Sequence, residues 1–255
     1  MRALQPQVFI HPDPLRLEQE LQTQIELLKP GFDRRVLIIA PSNRLVRRLR
    51  RQLASRFEGL LGVEVQTHFE VARFILDRAN PGRVPEVLDR SMREVIMDHL
   101  LAKREGLSLA AYADRHLSVS SALASLMGEL REAGIASRDL ARFTGQPLLL
   151  ELSQVYVDFE ATLERLELDP NVPRSDRAGI TGIAMEAAKG LPPYAGVLHF
   201  GAYDLVGMNL DLVEALPKET LQFYVPGAND APAWDFAKSF IEQRLKAAPV
   251  ELETP

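Results

Sequence analysis

Hydrophobic residues recur along this chain in two rhythms, and the switch between them divides it into parts. Five short apolar, often β-branched runs, at residues 8–10, 36–40, 63–67, 197–200 and 221–225, have the unbroken character of strands buried on both faces of a parallel sheet. The first, second and fourth lead into amphipathic helices predicted at 15–28, 43–57 and 209–216, and the third into a helix at 69–79. Strand-helix alternation of this kind implies right-handed crossovers and helices on both faces of the sheet.

Between the third and fourth runs only the helical period remains. A helix is expected over 87–103, with Leu88, Met92, Val95, Ile96 and Leu100 on one side. Another runs from a Ser118 cap to Gly134, and a short one follows Ser137. A long helix over 148–166 carries the stripe Leu152, Tyr156, Phe159, Leu163 and Leu166 and stops before Asp169-Pro170, and a last one lies between Asp176 and Gly190. Roughly 110 such residues are too many for a loop and predict a subdomain with its own core. The expected fold is therefore α/β. Residues 1–79 and 191–255 form one discontinuous domain, and an all-helical subdomain, 80–190, is inserted in it. Residues 231–248 read as one more helix and 249–255 as a polar end.

Composition changes this picture little. The chain has 255 residues, 46% hydrophobic and 25% charged, which suits one large α/β domain with an insertion. Its formal charge of −5 argues against coating nucleic acid over the whole surface but leaves room for a local basic patch. The absence of cysteine excludes disulfides, thiolate metal sites and cysteine nucleophiles, and is compatible with a reducing cytoplasm. No apolar run approaches the roughly 20 residues that cross a bilayer, and the N-terminus lacks a signal-peptide core. A soluble cytoplasmic chain with no membrane partner is expected. His11, His68, His99, His116 and His199 show no ligand spacing, so neither a metal site nor a cofactor is expected.

The candidate chemistry lies where strands run into helices. A phosphate-binding loop needs glycines, whose backbone N–H groups curl round phosphates, and a lysine to reach the outer ones. After the first run the chain instead reads His11-Pro12-Asp13-Pro14, which suits a plain strand-to-helix corner. After the fourth run, where metal-assisted phosphoryl transfer would need an acid for magnesium and another for water, it reads Phe200-Gly201-Ala202, and the nearest acid, Asp204, reads as a turn cap. The second junction is richer. Ser42 and Asn43 are cap residues, and Arg44, Arg47, Arg48 and Arg51 share one narrow helical face opposite Leu45, Val46, Leu49 and Leu53. Four guanidinium groups there suit phosphates along a nucleic-acid backbone, or form a solvated face neutralised by acids of the 15–28 helix. Thr67 and His68 close the third run, where open α/β sheets collect ligands, although a lone histidine there also serves as a packing residue.

In this order and spacing the chain resembles the first RecA-like domain of UvrD/Rep-type (superfamily 1) helicases. Residues 38–44 with their helix resemble the single-strand-contacting segment after the Walker strand, and 65–72 resemble the next DNA-contacting segment. Residues 197–210 resemble the acid-bearing stretch, but with Phe200 and Gly201 in place of its Asp-Glu pair, and the Walker lysine has no counterpart. That departure is similar to AddB/RexB-type subunits of bacterial ATP-dependent helicase-nucleases, as are Leu130 to Ile135 with Asp139-Leu140, and Leu152 to Leu168 with its Tyr-x-x-Phe-Glu-x-x-Leu pattern. The resemblance implies an ATPase-inactive, helicase-like module of a DNA-repair nuclease subunit, not an enzyme by itself. It would be the N-terminal piece of a longer protein with a downstream PD-(D/E)XK-type nuclease. Its implied partners are single-stranded or unwinding DNA and an AddA-type subunit. The implied DNA contacts are Ser42, Asn43, Arg44, Arg47, Arg48, Arg51, Thr67 and His68. The implied degenerate ATP-site positions are His11, Pro12, Asp13, Phe200 and Gly201. A protein-interaction scaffold and an unusual nucleotide binder are the competing expectations.

Overall fold

In chain order the first elements are β1 (Gln7–His11), α1 (Pro14–Leu28), β2 (Val36–Ile39), α2 (Asn43–Arg56), β3 (Val63–Gln66) and α3 (His68–Ala79). Next come β4 (Glu86–Val87), α4 (Arg90–Ala102), α5 (Ser108–Ala113), α6 (Val119–Glu132), α7 (Ser137–Leu140), α8 (Pro147–Glu167), β5 (Arg174–Ser175) and α9 (Arg177–Ala188). The chain then forms β6 (Gly196–Phe200), α10 (Gly207–Ala215), β7 (Leu221–Pro226), a π-helical turn (Phe240–Leu245) and β8 (Pro249–Glu251). The computed structural model describes residues 5–104, 108–116, 118–143, 145–201, 205, 207–227, 237–238 and 240–253.

The chain divides into two compact units: Met1–Ile75 with Met185–Pro255, and Leu76–Ala184. The first is built on a six-stranded sheet in the order β3-β2-β6-β7-β1-β8, with every described pairing parallel. Strands buried on both faces need apolar residues at every position, and β2 meets this with Val36, Leu37, Ile38 and Ile39, none of them exposed. Val36 and Ile38 join a core with Leu17, Leu21 and Ile25 of α1, Val46, Leu49 and Leu53 of α2, and Phe200 and Tyr224. Burying side chains of this size stabilises by about 1.5–3 kcal/mol each.

The Leu76–Ala184 unit has a separate core of Met97, Leu100 and Leu101 from α4, Leu123 and Met127 from α6, and Tyr156, Phe159 and Leu163 from α8. Of the α8 stripe expected from the sequence, Tyr156, Phe159 and Leu163 are fully buried, and Leu152 and Leu166 partly so. Five expectations are corrected. The region is not all helical, because Glu86–Val87 and Arg174–Ser175 pair as a two-stranded parallel ladder. The helix expected at 87–103 starts only at Arg90, capped by the Asp89 carboxylate on the Met92 N–H at 2.8 Å. Its inward face is rotated toward Met97 and Leu101, because α6 and α8 pack there, which leaves Val95 66% exposed. Ser118 adopts helical angles and makes no side-chain cap bond, so α6 starts without one. The polar end is partly a strand: Pro249–Glu251 pairs with β1 at the sheet edge, where a proline is tolerated. Within the expected 231–248 helix, residues 231–236 and 239 lie outside the described ones; Ala237 and Lys238 are α-helical, and the π-helical turn follows at Phe240–Leu245.

Among the described residues no helix is long and apolar enough to cross a membrane.

Candidate functional site

Because the strands are parallel, their carboxyl ends share one edge, the edge at which open α/β sheets hold ligands. From β3 toward β1 this edge carries Thr67 and His68, then Pro41, Ser42 and Asn43 after β2, then Gly201 after β6, and finally His11 at the end of β1. The DNA-contact candidates and the degenerate ATP-site positions therefore occupy one edge, in two sections. The second section spans β6 and β1, with β7 between them.

The helix after β2 begins where its sequence says it should. Ser42 is extended, and its hydroxyl accepts the Leu45 N–H at 3.3 Å. Val46, Leu49 and Leu53 dock on the sheet, which turns the arginine face outward. Arg44, Arg47 and Arg51 are exposed and make no ion pair among the described residues. Arg48 is different. Its Nη2 lies 2.6 Å from Oε1 of Glu18 on α1, a carboxylate whose side chain is 6% exposed and which also accepts a 2.7 Å bond from Gln52 Nε2. The neutralisation considered from the sequence thus takes up Arg48 and leaves three free guanidinium groups on the face. Arg48→Met should leave Glu18 buried and without its cation, and is expected to lower the urea midpoint of the protein, with a loss on the order of 2–4 kcal/mol.

Thr67 and His68 are used locally. Thr67 Oγ1 accepts the Glu70 N–H at 3.3 Å while the Glu70 carboxylate accepts the Thr67 N–H at 2.8 Å, a reciprocal box that starts α3. His68 is turned inward, contrary to its reading as a DNA contact. Its Nε2 lies 2.8 Å from Nε2 of His199 on β6, so one ring donates and the other accepts. Burial lowers the His68 pKa to about 4, and burial, followed by the neighbouring His68, draws His199 well below its ordinary value. Both rings are therefore neutral at physiological pH. His199 Nδ1 has no hydrogen-bond partner among the described residues.

The stretches read from the sequence as degenerate ATP-site positions do ordinary structural work. Asp13 accepts the Leu15 N–H at 2.9 Å, Pro14 opens α1, and the Asp13 N–H donates to His11 Nδ1 at 3.0 Å. The corner is an ordinary capped helix start, its Leu15 N–H already bonded to a carboxylate. Phe200 is buried in the sheet core with its ring stacked on Tyr224, centroids 6.0 Å apart. Gly201 follows at φ +82°, and a Cβ there would stand 3.4 Å from Leu45 and 3.6 Å from Pro41. Those are ordinary contacts, so it is the left-handed turn that accounts for a glycine at this point. Ala202, Tyr203 and Asp204 lie outside the described residues.

Chemically, this edge offers exposed guanidinium groups and a helix N-terminus to an anion. Its two inward histidines are paired and neutral. Among the described residues no group of three or more His, Asp or Glu could hold a metal ion. Sequence reasoning named the acids of the 15–28 helix as partners of the arginine face but not Glu18 among them, and it missed the partnership of His68 with His199. Only strand order brings either pair together. No protein-family model matches the chain, and no curated protein matches it.

Proposed function

We propose that the chain is an ATPase-inactive, RecA-like helicase module that guides single-stranded DNA, as the N-terminal part of an AddB/RexB-type subunit working with an AddA-type partner. The observation that carries this reading is the row Arg44, Arg47 and Arg51, exposed, without ion pairs among the described residues, on the helix that starts at the carboxyl edge of the sheet. Over seven residues an α-helix rises about 10 Å, enough to meet successive phosphates of an extended strand. The RecA-like part is supported by the placement of β1 and β6 at one edge with a single strand between them. The inactive part is supported by the Asp13 cap and the buried Phe200, which hold the places that glycines and magnesium-binding acids would need.

Binding of a fluorescent oligothymidylate, followed by anisotropy over a salt series, tests this. The wild-type chain is expected to bind at low salt, and Arg44→Ala/Arg47→Ala/Arg51→Ala to lose most of that affinity. The slope of log K against log salt should become shallower by about 2, since each lost phosphate contact on a single strand contributes about 0.7. Absence of wild-type binding, or an unchanged triple variant, would refute the DNA-guiding role. Titration with ATP and magnesium is expected to give no 1:1 heat, and a clear one would refute the inactive phosphate site.

A second reading, a protein-interaction scaffold, draws on the exposed Leu148, Leu150 and Val157 of α8, at 58%, 42% and 49%. It gains ground only if the wild-type chain ignores DNA.

A further inference from the structure

Four arginines share the outer face of α2, and one of them is tied to a buried acid. At 3.6 residues per turn, Arg48 lies about 40° round the helix from Arg44 and about 6 Å along it, between Arg47 and Arg51. By position it belongs to the row, and its side chain is 46% exposed. Its charge is already matched. Arg48 Nη2 stands 2.6 Å from Oε1 of Glu18 on α1, and one turn further on Gln52 Nε2 donates to Oε2 of the same carboxylate at 2.7 Å. Arg44, Arg47 and Arg51 are exposed and make no ion pair among the described residues.

The two contacts on Glu18 differ in kind. Gln52 donates a hydrogen bond, whereas Oε1 has no hydrogen-bond partner among the described residues and meets Arg48 as an ion pair. Charge, more than direction, keeps the guanidinium there. The Glu18 side chain is only 6% exposed, too deep to be left to Gln52 alone. An unpaired buried charge costs far more than one phosphate contact at a wet surface contributes. Arg48 therefore stays with Glu18 when a polyanion approaches, and the pair presents no net charge to it.

We propose that Glu18 sets the charge of the α2 face, withholding Arg48 and limiting the face to three phosphate contacts, an inference that rests on the DNA-guiding reading above. A face that guides a strand must also release it. Each further guanidinium–phosphate contact slows release and steepens the dependence on salt. Neutralising Glu18 frees a fourth contact. Glu18→Gln does so with little disturbance, because the Gln52 amide can turn over. Its Oε1, without a partner among the described residues, then accepts from the amide introduced at position 18.

Binding of the fluorescent oligothymidylate is measured over a salt series for wild type, Glu18→Gln, Glu18→Gln/Arg48→Gln and Glu26→Gln. Glu18→Gln is expected to bind about fivefold tighter at low salt, with a slope of log K against log salt steeper by about 0.7, the share of one single-strand phosphate. Adding Arg48→Gln should remove that gain. Glu26→Gln takes the same charge from α1 but frees Arg56, about 120° round α2 from Arg44 and off the row, so the slope should stay at the wild-type value. In the wild-type chain itself, nitrogen-resolved NMR of the arginine side chains should show Arg44, Arg47 and Arg51 shifting as the oligothymidylate is added while Arg48 does not. Three results overturn the proposal and leave the DNA reading standing: a Glu18→Gln slope no steeper than that of a wild type that binds, a gain that survives Arg48→Gln or is matched by Glu26→Gln, or an Arg48 signal that moves with the others. Absence of wild-type binding overturns the DNA reading itself, and this inference with it.

Discussion

Arg131→Met is expected to destabilise the Leu76–Ala184 unit by about 3–5 kcal/mol, the usual consequence of leaving a buried charge without its partner. Arg131 on α6 reaches Asp176 with Nε at 2.8 Å and Nη2 at 3.3 Å, a forked pair whose side chains are 16% and 3% exposed. The same carboxylate accepts the Gly179 N–H at 2.8 Å and so caps α9. Removing the guanidinium strands a carboxylate that cannot reach water without giving up the cap. Adding Asp176→Asn removes the charge and keeps an oxygen for the cap, so the double variant should recover much of the loss. Hydrogen exchange of α6 and α8 amides reads this unit by itself. A single variant within about 1 kcal/mol of wild type, or simple additivity in the double, would show that the pair contributes little.

The parts of the fold that were legible in the sequence share one property: their signal is local. Val36 to Ile39 announces a buried strand by being apolar at each position, and Ser42 announces α2 by its side-chain chemistry. The α8 stripe from Tyr156 to Leu163 works the same way, because a helix that buries one face must repeat at its own period. What stayed hidden depends on distant partners. β8 is three residues at an edge, with Val250 half exposed, so it has neither length nor alternation to show. The β4–β5 ladder joins residues 88 positions apart through two residues on each side. The face of α4 was misjudged because apolar residues surround much of that helix, and only α6 and α8 decide which of them turn inward.

The same distinction divides the candidate site. The arginine face of α2 was readable because four residues on one helix fix their own relative directions. That Arg48 belongs to Glu18 was not, since α1 and α2 become neighbours only when both dock on the sheet. His68 gave the strongest contrast between the two kinds of information. Its position after a strand suggested an accessible ligand. The residue that settles its direction is His199, 131 positions later, brought into reach because β6 pairs with β2 and β2 with β3.

That histidine pair sets the second large expectation, a loss of stability in mild acid. Burial holds both rings neutral in the folded protein, with His68 lowered to about 4 and His199 well below its ordinary value. In the unfolded chain each titrates near 6.5. Above that pH neither state is protonated and the pair contributes nothing to pH dependence. As pH falls below it, the unfolded chain takes up protons that the folded form refuses, so stability declines until the folded rings also titrate. Between about pH 7.5 and 5.5 each histidine should remove about 1.4 kcal/mol, close to 3 kcal/mol together, in a range where ordinary carboxylates stay ionised. His68→Leu/His199→Leu removes donor and acceptor at once and leaves no orphaned ring nitrogen, so it should fold and lose most of this slope. Urea midpoints of the wild-type and double-variant proteins at the two pH values measure the difference. Parallel declines in the two proteins would mean that the buried pair is not the source of the acid sensitivity.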